Sequence, residues 1–512
     1  MKTKILDCTL RDGGYYTNWD FPESVVQNYL EAFNHIPIEF LEIGYRSVPM
    51  KSYMGEFFYC PPSLVQKIKS VSNKKLAILI DEKNTTPKDA EKLLEPVRSM
   101  VDMVRVAINP KNINRALHLG ESIKKLGFAL SFNVMYMSTW KNNKAFLESA
   151  SDIDDLLDYF YMVDSFGGVY PEEVKNSIHF LRSKTSVKLG FHSHNNLEMA
   201  FSNTLTAIEH DIDIVDATIT GMGRGAGNLK TELLLTALNA QNKIDFPFNE
   251  LSKVVDTFSE LQKEYQWGTN LPYMVSGANS LPQKDVMSWV SKRYYSFNSI
   301  IRALQNLSKG QEDNEKLQTF RPKKKVKNAL IVGGGSSVSQ HSKAIAEYLN
   351  RNPDILIIHA SSKNAMIFKH LKNPQYFCLV GNEGYRMEDV FHGTLPNNTV
   401  CILPPYPRVM GTYIPSSLKH NAKEIAKNTF TDKYIDSHTA IALQAALDLK
   451  VKHLYLAGYD GYASEELTIK TQELTEENKF LFSCFMTSFK GEIVALTPTV
   501  YIDNVVSIYS LL

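Results

Sequence analysis

Eight short apolar runs, separated by segments of helical period, constrain the fold of the first half of this chain of 512 residues. The runs are residues 5–10, 40–45, 76–80, 103–108, 129–135, 159–163, 188–192 and 214–220. Because they start about 26 to 36 residues apart, each interval has room for one helix and two loops, as parallel strands require. Clear helical patterns lie at residues 22–33, 87–101, 114–125 and 195–209. We expect a (β/α)8 barrel, and a doubly wound open sheet fits the alternation almost as well.

The positions of the polar residues favour the closed barrel. Arg11 and Asp12 close the first run, and the later runs contain or precede Glu42, Arg105, Asn133, Asp164, His192 and His194. A glycine loop, residues 221–228, follows the eighth run. In a barrel the carboxyl ends of all strands meet on one face, so these groups converge on a single site there. For Arg11 and Asp12 alone, an ion pair at a strand end is an equally good explanation.

His192 and His194 form the strongest candidate for a metal site. Because they are two residues apart on an extended segment, their side chains point to the same side and can reach one cation. Asp12 lies two strands away across the closure of the barrel and can add a carboxylate oxygen. Two imidazoles with oxygen ligands suit Mn²⁺, Mg²⁺, Co²⁺ or Zn²⁺. The alternative is that both histidines are structural.

Composition excludes several classes of protein. The formal net charge is +1, whereas binding to nucleic acid or to an anionic membrane surface needs a concentrated positive field. No apolar run approaches the roughly 18 residues that cross a bilayer, and no targeting signal precedes the first run. The five cysteines are widely spaced without a CxxC pair, which suits reduced thiols and a cytoplasmic protein. Cys8 lies near the candidate site, where we expect a buried apolar residue.

Four separated segments resemble the DRE-TIM metallolyases, the HMG-CoA lyase-like superfamily of metal-dependent aldolases, lyases and synthases. They are residues 9–13 (TLRDG), Glu42, residues 192–195 (HSHN) and the glycine loop, in that order within residues 1–305. The resemblance implies a TIM barrel and a divalent metal bound by Asp12, His192 and His194, with Asn228 as a further ligand. It also implies an active-site arginine at Arg11, oriented by Glu42.

Within that superfamily, the compact glycine loop and residues 267–277 look most like the 4-hydroxy-2-oxovalerate aldolases. The loop contains no cysteine, which disfavours HMG-CoA lyase activity. Those aldolases carry a catalytic histidine three residues after the metal-binding aspartate, where this chain has Tyr15. A phenol is a poorer base than an imidazole near neutral pH, so Tyr15, Tyr16 and a metal-bound water are all candidates for the general base. The alternative role for Tyr15 is core packing.

The resemblance implies chemistry at a carbon next to a carbonyl. A 2-oxo acid such as pyruvate would chelate the metal, in the first place Mn²⁺ or Mg²⁺, while Arg11 holds the enolate oxygen or the carboxylate. We therefore expect an aldolase that acts on a 2-oxo acid and an aldehyde. The alternatives are a Claisen-type synthase of the isopropylmalate synthase kind, which uses an acyl-CoA, and a degenerate barrel that serves a C-terminal binding module. Asp164 would either position the site or cap the loop before Pro171.

The second half of the chain has the pattern of a separate α/β domain. After the barrel at residues 1–245, helical patterns at 249–265 and 283–307 predict a helical extension over 246–307. The polar, lysine-rich stretch 308–327 predicts a linker. Apolar runs at 328–332, 355–359, 376–380, 400–403 and 453–457 predict a Rossmann-like domain over 328–512.

The turn after the first strand of that domain is a candidate phosphate site. Gly333, Gly334, Gly335 and Ser336 precede a helical pattern at 340–350, and exposed N–H groups at a helix start favour an anion. The spacing is neither GxGxxG nor Walker A, so an ordinary α/β turn is an equally good explanation. A faint resemblance to motility-associated glycosyltransferase-like and pterin pyrophosphokinase-like domains implies a nucleotide or sugar nucleotide, with Asp460 in the same crevice. The sequence leaves the oligomeric state open, with a homo-oligomer as one alternative.

Overall fold

The chain forms two compact units, Met1–Met287 and Ser288–Leu512, in a computed structural model. The structure describes residues 2–142, 153–292, 297–310, 316–322, 324–395, 399–408, 412–462 and 469–512. None of the helices in these ranges combines the length and the hydropathy that crossing a membrane requires. Each unit is built around one parallel β-sheet.

The first unit is a closed barrel of eight parallel strands in sequence order. The strands are β1 Lys4–Asp7, β2 Phe40–Tyr45, β3 Lys75–Asp81, β4 Met103–Ile108, β5 Ala129–Val134, β6 Tyr159–Asp164, β7 Lys188–Ser193 and β8 Ile214–Ala217. β1 pairs with both β2 and β8, which closes the ring and excludes the open sheet. The predicted (β/α)8 barrel is therefore confirmed.

Helices connect the barrel strands and continue after β8. They cover Thr9–Thr17, Glu23–Phe33, Glu56–Tyr59, Pro62–Val71, Pro87–Leu94, Ile113–Lys125, Pro171–Arg182, Ala200–Glu209, Thr231–Ala240, Phe248–Tyr265 and Leu271–Ala278. The helix predicted at 87–101 ends at Leu94, because Pro96 cannot donate a backbone hydrogen bond. The helix predicted at 195–209 begins at Ala200, because the preceding residues form a turn in which Glu198 has a φ of 58°.

The segment after β1 corrects one expectation from the sequence. β1 ends at Asp7 rather than at residue 10, and Thr9–Thr17 is a helix, α1, which carries Arg11 and Asp12. The Asp7 carboxylate accepts hydrogen bonds from the N–H and the hydroxyl of Thr9, at 2.9 and 2.6 Å. This local turn stops the strand and starts the helix. Arg11 and Asp12 therefore lie on a helix that follows β1, not on β1 itself.

The second unit contains a seven-stranded parallel sheet. Its strands are β9 Asn328–Val332, β10 Leu356–His359, β11 Gln375–Cys378, β12 Val400–Leu403, β13 Ala422–Glu424, β14 His453–Ala457 and β15 Glu492–Ala495, in the order β13-β12-β11-β10-β9-β14-β15. Helices cover Phe297–Ser308, Ser337–Gln340, Ser342–Arg351, Glu383–Val390, His438–Asp448 and Ile469–Ser488. The strand order reverses at β9, as in doubly wound folds, which confirms the Rossmann-like α/β class. β13 and β15 were not predicted; β13 has only three residues, and two of them, Lys423 and Glu424, are charged.

The boundary after Met287 differs from the predicted domain limits. The helix Phe297–Ser308, predicted within a helical extension of the barrel at 246–307, belongs to the second unit. The single helix predicted at 283–307 consists of Gln283–Lys292 and Phe297–Ser308, and residues 293–296 lie outside the described ranges. Residues 311–315 and 323 of the predicted linker also lie outside them. The limits of the linker stay a prediction.

Asp7 connects the closure of the barrel to the surrounding helices. Its fully buried carboxylate also accepts a hydrogen bond from the Tyr29 hydroxyl at 2.7 Å and one from the Thr231 hydroxyl at 2.6 Å. Tyr29 lies on the helix Glu23–Phe33, and Thr231 starts the helix Thr231–Ala240. Through these two hydrogen bonds and the two from Thr9, the Asp7 side chain joins three helices to β1.

We predict that Asp7→Ala lowers the free energy of unfolding by about 3–5 kcal/mol, because buried hydroxyl groups lose their acceptor. Urea unfolding followed by circular dichroism measures the change. The matched control, Asp256→Ala, changes an exposed aspartate on the helix Phe248–Tyr265 and should stay within about 0.5 kcal/mol of the wild type. Equal losses in the two variants would contradict the role given to Asp7.

Candidate metal centre

Asp12, His192 and His194 lie close together at the carboxyl ends of the barrel strands. Asp12 is on α1, His192 is in β7, and His194 directly follows β7. One ligand atom from each residue lies within 4.8 Å of the other two. Asp12 and His192 are buried, and His194 is partly buried. The three side chains could therefore bind one ion.

Hydrogen bonds determine which imidazole nitrogens would be available to such an ion. His192 Nδ1 lies 2.8 Å from Oδ2 of Asp216, and His194 Nδ1 lies 2.7 Å from the carbonyl oxygen of Asp164. A carboxylate and a carbonyl only accept, so each Nδ1 carries the proton and each Nε2 keeps a lone pair. Burial, together with the neighbouring His192, lowers the pKa of His194 to about 4. The His194 imidazole is therefore neutral near pH 7, as a metal ligand has to be.

Asn228 adds an amide oxygen to the same cluster. Its Nδ2 donates to Asp12 Oδ2 at 2.5 Å. Its Oδ1 is buried and has no hydrogen-bond partner among the residues that the structure describes. An orphaned oxygen beside a carboxylate and two imidazoles suits a further ligand position. The donor set, two nitrogens and two oxygens, fits a divalent metal ion.

A chain of buried ion pairs links these groups. Arg11 contacts Asp12 at 2.5 Å through Nη1 and Glu42 at 2.8 Å through Nε. Arg105 continues the chain, with Nη1 2.9 Å from Glu42 and Nη2 2.5 Å from Asp216. Burial would raise the pKa of Asp12, but the charge of Arg11, together with His192, His194 and the hydrogen bond from Asn228, lowers this pKa below its usual value. Three carboxylates against two guanidinium groups leave an excess negative charge that a cation would balance.

Sequence reasoning missed Asp216 and gave no role to Arg105. Both side chains are almost completely buried, and Arg105 Cζ also lies 4.2 Å from the centre of the Tyr161 ring. The available signal was a charged residue inside an otherwise apolar run. Burying such a residue costs so much free energy that it requires a partner of opposite charge. The sequence shows this requirement but not which strand supplies the partner.

A second group of potential ligands, Cys8, His192 and Asp216, overlaps the first. Oδ2 of Asp216 already contacts Arg105 and His192. Burial raises the pKa of the Cys8 thiol well above its usual value, which disfavours the thiolate that a metal needs. The Asp12 group is therefore the better donor set, and Cys8 is buried as the sequence suggested.

The two tyrosines that follow Asp12 have different surroundings. The Tyr15 hydroxyl lies 3.1 Å from the Tyr45 hydroxyl, and the Tyr15 ring lies under the Arg224 guanidinium, with 5.4 Å from Cζ to the ring centre. The Tyr16 hydroxyl instead donates to the Gly225 carbonyl at 2.9 Å. Tyr16 therefore holds the glycine loop, and Tyr15 is the better candidate for proton transfer.

Asp164 contributes to the centre through its backbone. Its carbonyl accepts from His194, while its carboxylate accepts from the N–H groups of Gly168 at 3.3 Å and Val169 at 3.2 Å. Burial raises the pKa of this carboxyl to about 6. Asp164 thus caps its own loop and orients His194 at the same time.

The predicted phosphate turn of the second unit contains a carboxylate of the protein itself. Asp460 Oδ2 accepts from the N–H of Ser337 at 2.8 Å, and Ser337 Oγ also donates to this carboxylate. Gly335 N–H donates to the Gly458 carbonyl at 2.9 Å. The helix that begins at Ser337 has only four residues, which limits its dipole. A nucleotide at Gly333, Gly334, Gly335 and Ser336 stays a prediction without support from this geometry.

The first half of the chain is similar to known enzyme sequences. The sequence model of the HMGL-like family matches residues 2–263. A 4-hydroxy-2-oxovalerate aldolase from Thermomicrobium roseum is 27% identical over 46% of this chain and 66% of its own length. An oxaloacetate decarboxylase from Mycobacterium tuberculosis is 26% identical over 47% of this chain and 71% of its own length. The similarity to both enzymes is confined to part of each chain.

Solved structures agree with the barrel as well. The N-terminal domain of a candidate aldolase from Bacteroides vulgatus is 56% identical, with a TM-score of 0.56, over 59% of this chain and 99% of that domain. The carboxyl transferase domain Y628A of Rhizobium etli pyruvate carboxylase has a TM-score of 0.50 at 14% identity, over 60% of this chain and 58% of that one. The second likeness is one of fold alone.

The fold and the matched relatives define a lyase of the TIM-barrel class. More particularly, the chain belongs to the HMGL-like family, whose model covers about half of it. Lyases of this family generally use a divalent metal, and the donor set around Asp12 fits one.

We predict that Asp216→Asn weakens Mn²⁺ binding about 10- to 100-fold. The reason is that His192 loses its charged partner and Arg105 loses one of its two carboxylate partners. Isothermal titration calorimetry measures the affinity. Asp211→Asn is the matched control, since Asp211 is exposed and has a φ of 57°, which asparagine tolerates. If both variants bind Mn²⁺ as the wild type does, Asp216 does not orient a ligand.

Proposed function

We propose that the barrel catalyses metal-dependent aldol cleavage or condensation through the enolate of a 2-oxo acid such as pyruvate. The observation that carries this proposal is the convergence of Asp12, His192 and His194, with both Nε2 lone pairs available, beside Arg11. The names of the two curated relatives, an aldolase and a decarboxylase, fit cleavage of a carbon-carbon bond next to a keto group.

Asp12, His192, His194 and Asn228 would hold Mn²⁺ or Mg²⁺. The bound ion would supply a Lewis acid for the keto and carboxylate oxygens of the substrate. Arg11 is permanently charged and is fixed by Asp12 and Glu42, so it can stabilise the negative charge that develops on the enolate oxygen. Glu42 contacts only arginines in this chain of ion pairs and acts as a positioning residue.

Tyr15 is the group that we propose to move the proton of the aldol hydroxyl. Burial raises the pKa of Tyr45 well above its usual value, so Tyr45 keeps its own proton. At 3.1 Å, the Tyr45 hydroxyl can donate a hydrogen bond to the Tyr15 oxygen. This hydrogen bond would orient the Tyr15 hydroxyl for proton transfer with the substrate.

The first test follows the methyl protons of pyruvate in D₂O by NMR. We expect exchange that requires Mn²⁺ or Mg²⁺, stops with a chelator, and falls about 10²- to 10³-fold in Arg11→Ala, because the enolate oxygen loses a preorganised donor. Tyr15→Phe should slow aldol cleavage, whereas Tyr170→Phe, at an exposed tyrosine, should not. Absence of metal-dependent exchange in the wild type would refute the proposal. Release of thiol from acetyl-CoA in its place would favour the Claisen-type synthase.

The second test asks whether the barrel is a degenerate scaffold. Mn²⁺ should raise the melting temperature of the wild type by mass action, and this rise should vanish in the double variant His192→Ala with His194→Ala. His179→Ala with His210→Ala is the matched control, because those rings also have centroids 5.0 Å apart but lie on the helical layer. An equal Mn²⁺ shift in all three proteins would place the ion elsewhere.

A further inference from the structure

The glycine loop lies directly against the proposed metal ligands. A Cβ built on Gly223 would come within 3.2 Å of Asp12 Oδ2 and 2.2 Å of Asn228 Nδ2. Arg224 is the next residue, so its backbone adjoins the metal centre. No side chain larger than hydrogen fits at Gly223, and this is what allows the loop to approach so closely.

The loop holds Arg224 in a defined position. The Gly225 carbonyl accepts from the Tyr16 hydroxyl at 2.9 Å, and the Arg224 carbonyl accepts from the N–H of Gly227 at 3.2 Å. The Arg224 side chain is partly exposed and lies over the ring of Tyr15, at 5.4 Å from Cζ to the ring centre. Stacking on an aromatic face orients a guanidinium without using its N–H donors.

Arg224 has no carboxylate partner among the residues that the structure describes, unlike Arg11 and Arg105. The buried cluster has one more carboxylate than guanidinium groups. A divalent ion and the single negative charge of a bound 2-oxo acid would bring this cluster to neutrality. The positive charge of Arg224 then stays unbalanced over the ring of Tyr15, the residue proposed to move the proton of the second substrate.

We propose that Arg224 binds an anionic group, a carboxylate or a phosphate, on the aldehyde partner, so that the enzyme prefers negatively charged aldehydes. The inference rests on the proposed aldolase function and names its substrate class. A guanidinium offers two parallel N–H donors to either anion, which gives both affinity and orientation.

The reaction itself needs no further reagent. In condensation, the methyl carbon of pyruvate loses a proton and forms a bond to the aldehyde carbon, while the aldehyde oxygen gains a proton. Cleavage is the reverse, and neither direction changes the overall oxidation state. Arg224 only anchors the far end of the aldehyde, so it is a specificity residue rather than an acid or a base.

The experiment measures kcat/KM of the full chain with Mn²⁺, pyruvate and matched pairs of aldehydes. The pairs are succinic semialdehyde with pentanal, and glyceraldehyde 3-phosphate with glyceraldehyde. We expect the wild type to prefer the charged member of at least one pair by at least about tenfold, as one charge-assisted bidentate contact can supply. The pair with the larger ratio identifies the anion as carboxylate or phosphate.

Arg224→Gln should bring this ratio to within about twofold of unity, mainly through a higher KM for the charged aldehyde. Arg224→Lys should keep part of the preference, because it retains the charge without the planar fork. Arg98→Gln, at an exposed arginine remote in sequence from the loop, should keep all of it.

Two results would overturn the inference while leaving the aldolase function intact. The first is a wild type that condenses pyruvate with both members of each pair equally well. The second is a preference that survives in Arg224→Gln. A wild type that neither exchanges the pyruvate methyl protons nor consumes any aldehyde would overturn both the aldolase function and the role of Arg224.

Discussion

The buried chain of alternating charges from Asp12 through Arg11, Glu42, Arg105 and Asp216 is the interaction on which the candidate site depends. Each charge is removed from water and is tolerated only because its neighbours carry the opposite sign. This series of ion pairs ends at one candidate metal ligand, Asp12 on α1, and through Asp216 reaches another, His192 in β7. A change at any member therefore alters the geometry or the charge of the whole centre.

The closed barrel makes this chain of ion pairs feasible. Arg105 is on β4 and Asp216 is on β8, on opposite sides of the ring, and yet their side chains meet at 2.5 Å. In an open sheet of the same strand order, β4 and β8 would lie several strands apart. Each strand spacing is about 4.8 Å, so no side chain would span that distance. Closure thus creates the site as well as the fold.

Two local devices bring residues from outside the strands to the same place. Asp7 ends β1 early, and α1 then presents Arg11 and Asp12 beside the strand ends. The glycine loop places Gly223 close to the Asp12 carboxylate. Both devices depend on residues with special turn or backbone properties. The chemistry proposed for the barrel requires both of them together.

The sequence by itself determined the eight βα units, the α/β class of the second unit, and the candidacy of Asp12, His192 and His194, because periodicity and residue spacing are local properties. Only the tertiary structure decided that Asp216 pairs with Arg105 and His192, and that Asp460 occupies the turn after β9. These pairings join residues far apart in the chain. A charged residue in an apolar run indicates that a partner of opposite charge is required. The register and closure of the sheet determine which residue is that partner.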